Sequence, residues 1–469
     1  MDLSRALRVD PGECIAFSGS GGKTTALFTL ARQLGTPVLV TTTTHLSLEQ
    51  LSFADRTITV DDISDIEIIF AQLENEVVLL IGEQNESGRV LGVPEEILVG
   101  VYQFAKRRGI NLLIEADGSR QRPMKAPASR EPVIPSFVDS VVVVAGLTAL
   151  GKPLTDEWVH RVDIFAEMAD MNKGEEITTE EIIQVLIDPL GGLKGIPEGV
   201  RKVCLLNQAD NVQLQAQGNR IARKLIPWYE AAVVSSFKKD LQELNETELG
   251  IPADRIPERC DIFAVHEQIA AIILAAGGSD RMGGSKQLLP WRGEPLVRHV
   301  ACAALDGGFD KVIIVVGAAG EEIKEVMNDL PVEFVDNPDW QLGQSSSIQA
   351  GLTALPGGFG AAIFLLADQP QISTTLLRTL IEKHTSTLAP IIAPLVDGQR
   401  GNPVLFDRNT FSDLQTIRGD TGGRSLFSQY SVDWVDWHDE SILLDIDTEE
   451  DYQRLLTDDR RKLHSENFT

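Results

Sequence analysis

The sequence predicts an α/β protein of two domains, each built around a mostly parallel sheet. Three observations carry that reading. The chain has 469 residues, 43% of them hydrophobic, which is more than one core ordinarily serves. Short apolar runs alternate with longer amphipathic stretches: ECIAFSG, PVLVTT, NLLIEAD, VVVVAG, KVCLLN and AAVVSS. Runs that are apolar throughout suit strands covered on both faces. The same alternation then restarts at AIILAAG (271–277) and continues through KVIIVVG, VEFVD, AAIFLLAD and APIIAPL. Between the two series lies LGIPADRIPERCDIFAVHEQ, with Pro252, Pro257 and no clear periodicity. The boundary is therefore placed near 265, with domains at 1–262 and 268–469.

Composition narrows the functions. With 42 basic and 69 acidic residues the formal charge is −27, which disfavours nucleic acid and anionic lipid as partners. Any phosphate must then be held by local loops, and small molecules are the expected ligands. Cys14, Cys204, Cys260 and Cys302 form no CxxC pair, so neither a disulfide framework nor a zinc site is expected. The start MDLSRALRVDPGE lacks an apolar signal core, and no apolar run reaches the roughly 18–20 residues of a membrane helix. A cytoplasmic protein is expected.

The first chemical motif is GSGGKTT (19–25), between the strand ECIAFS and the helical pattern ALFTLARQL. A strand, a glycine turn and a helix start place backbone N–H groups where they hold an anion. Gly19, Gly21 and Gly22 would form the loop, Lys23 would meet the outer phosphates, and Thr24 and Thr25 would supply hydroxyls, Thr24 toward magnesium. The full pattern GxxxxGK[ST] fails, because its first glycine falls at Phe17. The shorter form resembles the phosphate loop of amide-forming ligases of cell-wall synthesis, and it predicts a P-loop-like NTP-binding domain. LLIEADGSR ends a strand with Glu115 and Asp117, which suit a metal or a water. KVCLLNQAD supplies Asn207 and Asp210, with Gln208 where the NKxD guanine-reading signature of GTPases has lysine. Those two side chains read equally as base contacts or as turn residues bonding their own backbone.

The second motif is AIILAAGGSDRMGGSKQLLP (271–290), again a strand, a glycine turn and a helix start, here with Arg281 and Lys286. Downstream, AIFLLADQPQI ends a strand with Asp368, where open α/β sheets place ligands; the other reading of Asp368 is a helix cap. RGNPVLF, RGDTGGRSL and LLDIDTEEDY follow, the last carrying Asp445 and Asp447, with Thr448 suited to cap the final helix.

The set LAAGGSDRMGGSKQLLP, NPDWQLGQSSSIQAGL, LLADQP, GNPVLF, GDTGGR and DIDTEEDY, over about 268–458, resembles the molybdenum cofactor cytidylyltransferase family. The resemblance implies a nucleotidyltransferase (nucleotide-diphospho-sugar transferase) fold, so that the chain holds two Rossmann-like three-layer α/β/α domains. It also implies transfer of CMP from CTP to molybdenum-loaded molybdopterin, with magnesium as cofactor. By that resemblance Ala275, Ala276, Gly277, Gly278 and Gly283 cradle the triphosphate, Arg281 and Lys286 offset charge on the leaving pyrophosphate, and Asp368 holds the metal. Asp447 resembles a second metal contact, or else a helix-start carboxylate. Ser346, in the Ser345–Ser347 stretch, faces nucleotide or acceptor, or else caps its helix. Guanylyl-transferring relatives tend to read Ala-Gly-Gly where this chain reads Ala275-Ala276-Gly277, which favours CTP.

With VLVTTTTHL, EADGSRQRPMKAP, AGLTALGKPLTDEWVHR and LLNQAD in that order, residues 8–240 resemble YqeC-type selenium-dependent hydroxylase accessory proteins. That resemblance implies a role in hydroxylase maturation, with a molybdenum hydroxylase apoenzyme as protein partner; the loop itself points to ATP or GTP as its ligand. Thr41–Thr44, His45, His160 and Arg161 belong to the matching stretches, and Lys125 is placed toward the substrate; no metal is assigned to either histidine. Two rival functions stay open: a guanylyl or other nucleotidyltransferase with a different phosphate acceptor, and a non-catalytic cofactor chaperone.

Overall fold

The computed structural model describes residues 1–469 except 36, 63–64, 72, 84–89, 239–258, 279–283 and 467–469. Two compact units divide the chain, Met1–His266 and Glu267–Thr469. Each is an α/β unit organised by one large sheet.

The first sheet contains β1 (Cys14–Gly19), β2 (Val38–Thr42), β3 (Arg56–Thr59), β4 (Val77–Ile81), β5 (Asn111–Glu115), β6 (Ser140–Gly146), β7 (Arg201–Asn207), β8 (Ala231–Lys238) and β9 (Arg259–Glu267). Their order is β9-β8-β7-β6-β1-β5-β2-β4-β3, and every pairing from β8 to β3 is parallel. Successive strand side chains point to opposite faces. Cys14, Ala16, Leu112, Ile114, Val143 and Cys204 accordingly share one core with the helices Glu95–Arg108, Thr179–Ile187 and Val212–Leu225. The alternate residues Ile15, Phe17, Leu113, Val142 and Leu205 are as deeply buried, which is why these strands read as continuous apolar runs. Burial also pushes the Cys14 and Cys204 thiols up, as suits packing residues rather than ligands.

Parallel register sets the strand ends level. Gly19 lies opposite Val144, Phe17 and Thr42 opposite Glu115, and Asn207 opposite Gly146. The glycine loop, Glu115 and Asn207 therefore share the carboxyl edge of one sheet, where ligands of open α/β folds are held. Gly19 (φ 93°) is required there: a Cβ would lie 2.2 Å from the Val144 carbonyl oxygen. The helix α1 (Lys23–Gln33) begins directly after the loop.

The second sheet contains β10 (Ile269–Ala275), β11 (Lys311–Val316), β12 (Glu333–Asp336), β13 (Ala361–Leu366), β14 (Ile391–Val396), β15 (Gln399–Arg400), β16 (Val404–Asp407) and β17 (Val432–Asp436). The order is β12-β11-β10-β13-β16-β14-β15, with β17 beside β14. Two cores cover its faces. Ile269, Ala271 and Ile273 pack with helices α2 (Leu296–Gly307) and α4 (Thr374–Thr387), whereas Ile272, Ile313 and Phe364 pack with α3 (Gln344–Thr353). This unit is thus three layers. Its sheet is mixed, because β16 runs antiparallel to both β13 and β14. An apolar run reads alike in either direction, so the reversal was invisible in PVLF. No helix among the described residues is long and apolar enough to cross a membrane.

Candidate functional site

At the carboxyl edge of the first sheet the loop is closed upon itself. Gly19 N–H donates to Asp117 Oδ2 at 3.2 Å, Ser20 N–H to Val144 O at 2.8 Å and Gly21 N–H to Arg122 O at 3.0 Å. Lys23 Nζ donates to Gly19 O at 2.8 Å and lies 3.2 Å from Asp117 Oδ1, with both side chains 2% exposed. Lys125 Nζ reaches the other oxygen of Asp117 at 2.6 Å, Gly118 O at 2.7 Å and Glu131 at 3.1 Å. Arg161 completes the chain by donating to Glu131 at 2.8 Å. Although burial opposes it, bonding to Arg161 and Lys125 brings the Glu131 carboxyl down to about 2. Burial, then the positive charges of Arg161, Lys125 and Arg120, bring His160 down to about 4; it is neutral near pH 7. Gly19, Ser20, Asp117 and Lys125 line a cavity of about 30 Å³, room for one water molecule.

Thr24 Oγ1 donates to Glu115 at 2.9 Å and accepts from Gln50 at 2.9 Å. Burial above all raises the Glu115 carboxyl, against the Lys23 charge. Thr25 follows in the first turn of α1. Asn207, 3% exposed, neither faces solvent nor closes a turn of its own: its amide donates to Gly21 O at 2.7 Å and braces the loop. The amide stands so close to the loop that a Cβ at Gly22 would lie 2.4 Å from the Asn207 amide nitrogen. Asp210 accepts from Ser236 Oγ at 2.5 Å.

At the carboxyl edge of the second sheet an open cavity of about 670 Å³ is walled by Ala276, Gly277, Gly278, Lys286, Asp368 and Asp447, among others. Parallel register makes it: Ala275 lies opposite Val316 and Leu274 opposite Leu366, so the turns after β10 and β13 emerge side by side. Lys286 Nζ lies 2.5 Å from Asp368 and 2.7 Å from Asp447. Burial alone would lower the Lys286 ammonium, but Asp368 and Asp447 outweigh it and leave it raised. Neither carboxylate caps a helix. Ser373 caps α4 by accepting from Leu376 N–H, and Thr448 with Asp451 caps the last helix, Glu449–Glu466.

The remaining expected residues are placed less directly. Ala275 is buried behind Ala276 and does not line the cavity. Ser346 Oγ donates to Gly343 O and accepts from Asn337, so Ser347 rather than Ser346 forms the wall. Arg281 and Gly283 lie outside the described residues. Residue reasoning missed Gln344, Asp420, Arg424 and Trp340 on the same wall. Their segments carry Gly-Asp and Trp signals, but which side chain turns inward depends on loop packing. Asp445 also joins the wall; loss of surrounding water and then the Asp368 charge raise its carboxyl, against a bond from Gln369 Nε2 at 2.5 Å.

With both edges in place, the similarities are specific. Residues 15–163 match the YqeC protein family, and residues 271–434 match the MobA-like NTP transferase domain. YqeC of Escherichia coli (strain K12), an uncharacterized protein, is 31% identical over 235 residues, covering 49% of this chain and 88% of the relative. A nicotine blue oxidoreductase of Paenarthrobacter nicotinovorans is 35% identical over 198 residues, 40% of this chain and 96% of the relative. This chain belongs to both families, YqeC first and MobA-like NTP transferase second. Among solved structures, Rv0371c of Mycobacterium tuberculosis H37Rv is 29% identical with a TM-score of 0.38, covering 40% of this chain and 98% of that one. The YqeC part thus contains the Lys23–Asp117–Lys125 cluster, and the NTP transferase part contains the Lys286–Asp368–Asp447 cluster.

The transferase cavity suits a hard divalent cation. Its donors are carboxylate oxygens, and the Lys286 ammonium already stands as a positive charge between two of them. Among the described residues no group of three or more His, Cys, Asp and Glu side chains forms a complete cage. A divalent cation held by one or two carboxylates together with substrate phosphates could use Asp368 and Asp447, which both lie beside Lys286.

Proposed function

We propose that the NTP transferase part moves CMP from CTP to the terminal phosphate of molybdenum-loaded molybdopterin, giving the cytosine dinucleotide form and pyrophosphate. The observation that carries this reading is the meeting of Lys286, Asp368 and Asp447 in one cavity of about 670 Å³. That volume falls in the usual range for small-molecule sites.

In this reaction an oxygen of the acceptor phosphate attacks the α-phosphorus of CTP. A P–O bond forms there, and the bond to the β-phosphate breaks, so its electron pair leaves with pyrophosphate. The acceptor phosphate is mostly a dianion at neutral pH, so no general base is needed. Positioning and neutralisation carry the step. Gly277 and Gly278 offer an approach unobstructed by side chains. Lys286 turns from its carboxylates to the phosphates and offsets charge on the leaving group, in company with Arg281. Asp368 and Asp447 would hold magnesium, which supplies further neutralisation of the triphosphate when bound. The choice of CTP rests on Ala276, which stands where guanylyl-transferring relatives tend to read glycine; its methyl lies on the cavity wall beside Gly317.

The YqeC part is read as a cytoplasmic accessory domain of molybdenum hydroxylase maturation that binds ATP or GTP at Gly19–Thr25. Support comes from Lys23 at a helix start beside Thr24 and Glu115. A triphosphate there must take the place of Asp117 at the Lys23 ammonium and widen the 30 Å³ space.

The test is pyrophosphate release by the full chain with magnesium, molybdenum-loaded molybdopterin and CTP, GTP, ATP or UTP offered singly. Release with CTP, abolished in Asp368→Ala while circular dichroism and melting are unchanged, is the expected result. Normal release by that variant would remove the transferase reading, and release with GTP alone would remove the cytosine reading.

A further inference from the structure

The transferase cavity adjoins a smaller recess of about 80 Å³, with Leu274, Gln344, Leu366, Arg424 and Asp445 common to both walls. The recess adds Arg400, Asn402 and Phe427. Arg400 belongs to the edge strand β15, which pairs with Leu395 and Val396 of β14. Its guanidinium lies 4.5 Å over the Phe427 ring, and Phe427 in turn packs edge-on to Phe406. Arg424 lies in the 3-10 segment Gly419–Ser428. That segment settles onto Phe406 because residue 423 is glycine; a Cβ there would lie 2.5 Å from the ring.

Neither guanidinium has an ion-pair or hydrogen-bonded carboxylate among the described residues; Arg400 instead lies over the Phe427 ring. In a chain of charge −27 two such arginines at one recess are unusual. The charged neighbour that bears on Arg400 is Arg424, and together with burial, the larger influence, it lowers the Arg400 guanidinium. Those that bear on Asp445 are Asp368, Asp447 and Lys286. Lys286, Asp368 and Asp447 line the larger cavity alone, Arg400 lines the recess alone, and Arg424 and Asp445 stand on the wall common to both.

Phosphoryl-type transfer is roughly in line, with attacking and leaving oxygens on opposite sides of the phosphorus. If the leaving pyrophosphate lies at the glycine turn and Lys286, the attacking group comes from the other end. Two guanidinium forks match a phosphate monoester of charge near −2, in charge and in planar hydrogen bonding. We propose that the Arg400–Arg424 recess is the subsite for the phosphate monoester of the acceptor. This rests on the nucleotidyl-transfer reading only for the name of the acceptor; the subsite itself is a claim about a phosphate monoester.

Two measurements test it. Phenyl phosphate binding to the full chain without nucleotide, followed by calorimetry and 31P line broadening, should be weakened about tenfold or more in Arg400→Gln and in Arg424→Gln. Lys286→Gln should retain it. Arg400→Lys, which keeps the charge, should recover part of the loss and shows whether the glutamine variants merely misfold. In the transfer assay the same two glutamine variants should raise KM for the acceptor about tenfold and leave KM for CTP within about twofold. Undiminished phenyl phosphate binding by both variants overturns the subsite, as does loss confined to Lys286→Gln or no binding by the wild-type chain. Normal phenyl phosphate behaviour with no pyrophosphate release from any nucleotide would instead sustain the subsite and sink the transferase reading.

Discussion

Replacing Asp117 by alanine should destabilise the YqeC unit strongly. The carboxylate stands between two ammonium groups, Lys125 at 2.6 Å and Lys23 at 3.2 Å, with all three side chains 2% exposed. It also accepts the Gly19 N–H. After truncation Lys23 keeps only the Gly19 carbonyl, while Lys125 keeps the Gly118 carbonyl and Glu131. Two buried positive charges then face one another. Removing one partner of a buried pair costs about 3–5 kcal/mol, mostly the penalty of the charge left behind. For a unit of this size about 1 kcal/mol moves a melting midpoint by roughly 2–4 °C, so the YqeC transition should fall by roughly 10 °C. Differential scanning calorimetry of the full chain, with the two transitions resolved, makes the measurement. Asp117→Asn, which keeps the shape and an acceptor, should fall between. Asp163→Ala is the control: its partner Lys173 lies 2.5 Å away, but the two side chains are 83% and 59% exposed, and such pairs contribute little. A fall of less than about 3 °C in Asp117→Ala would refute the reasoning, because it would mean that water or a counter-ion already solvates the lysines.

Two further outcomes belong to the same unit. Lys23→Met should weaken ATP or GTP binding by the full chain and leave CTP-dependent pyrophosphate release unchanged; equal affinities in variant and wild type would remove the phosphate-loop reading. Acidification should destabilise the YqeC unit in two windows. His160 ordinarily titrates near 6.5 and is held at about 4, so the unfolded chain takes up a proton first and stability falls from pH 6.5 toward 4. Glu131 ordinarily titrates near 4.5 and is held at about 2, so its contribution is present above pH 4.5 and is lost as the pH falls toward 2. Denaturant midpoints measured from pH 7 to 3 should drop across the first window, and His160→Gln should flatten that part of the curve.

The sequence by itself determined the α/β class, the two sheets and the two glycine turns. Continuous apolar runs such as VVVVAG and AIILAAG report burial on both faces, a property of the strand alone. A lysine after glycines at a helix start is likewise local, and so Lys23 and Lys286 were legible. What the fold decided was how those groups are paired. Asn207 read as a base contact or a turn residue, yet parallel register sets it level with Gly146 and across from the loop, where its amide holds Gly21. Asp447 read as a second metal contact or a helix-start carboxylate; Thr448 and Asp451 cap that helix, and the Asp447 carboxylate meets a lysine 161 residues away. Ser346 and Ser347 are indistinguishable in SSS; the turn at Gly343 sends one hydroxyl to the backbone and leaves the other on the cavity wall. The reversal of β16 and the approach of Arg400 to Arg424 were decided by tertiary packing alone, because charge and apolar pattern along a chain carry no information on which distant segment comes alongside.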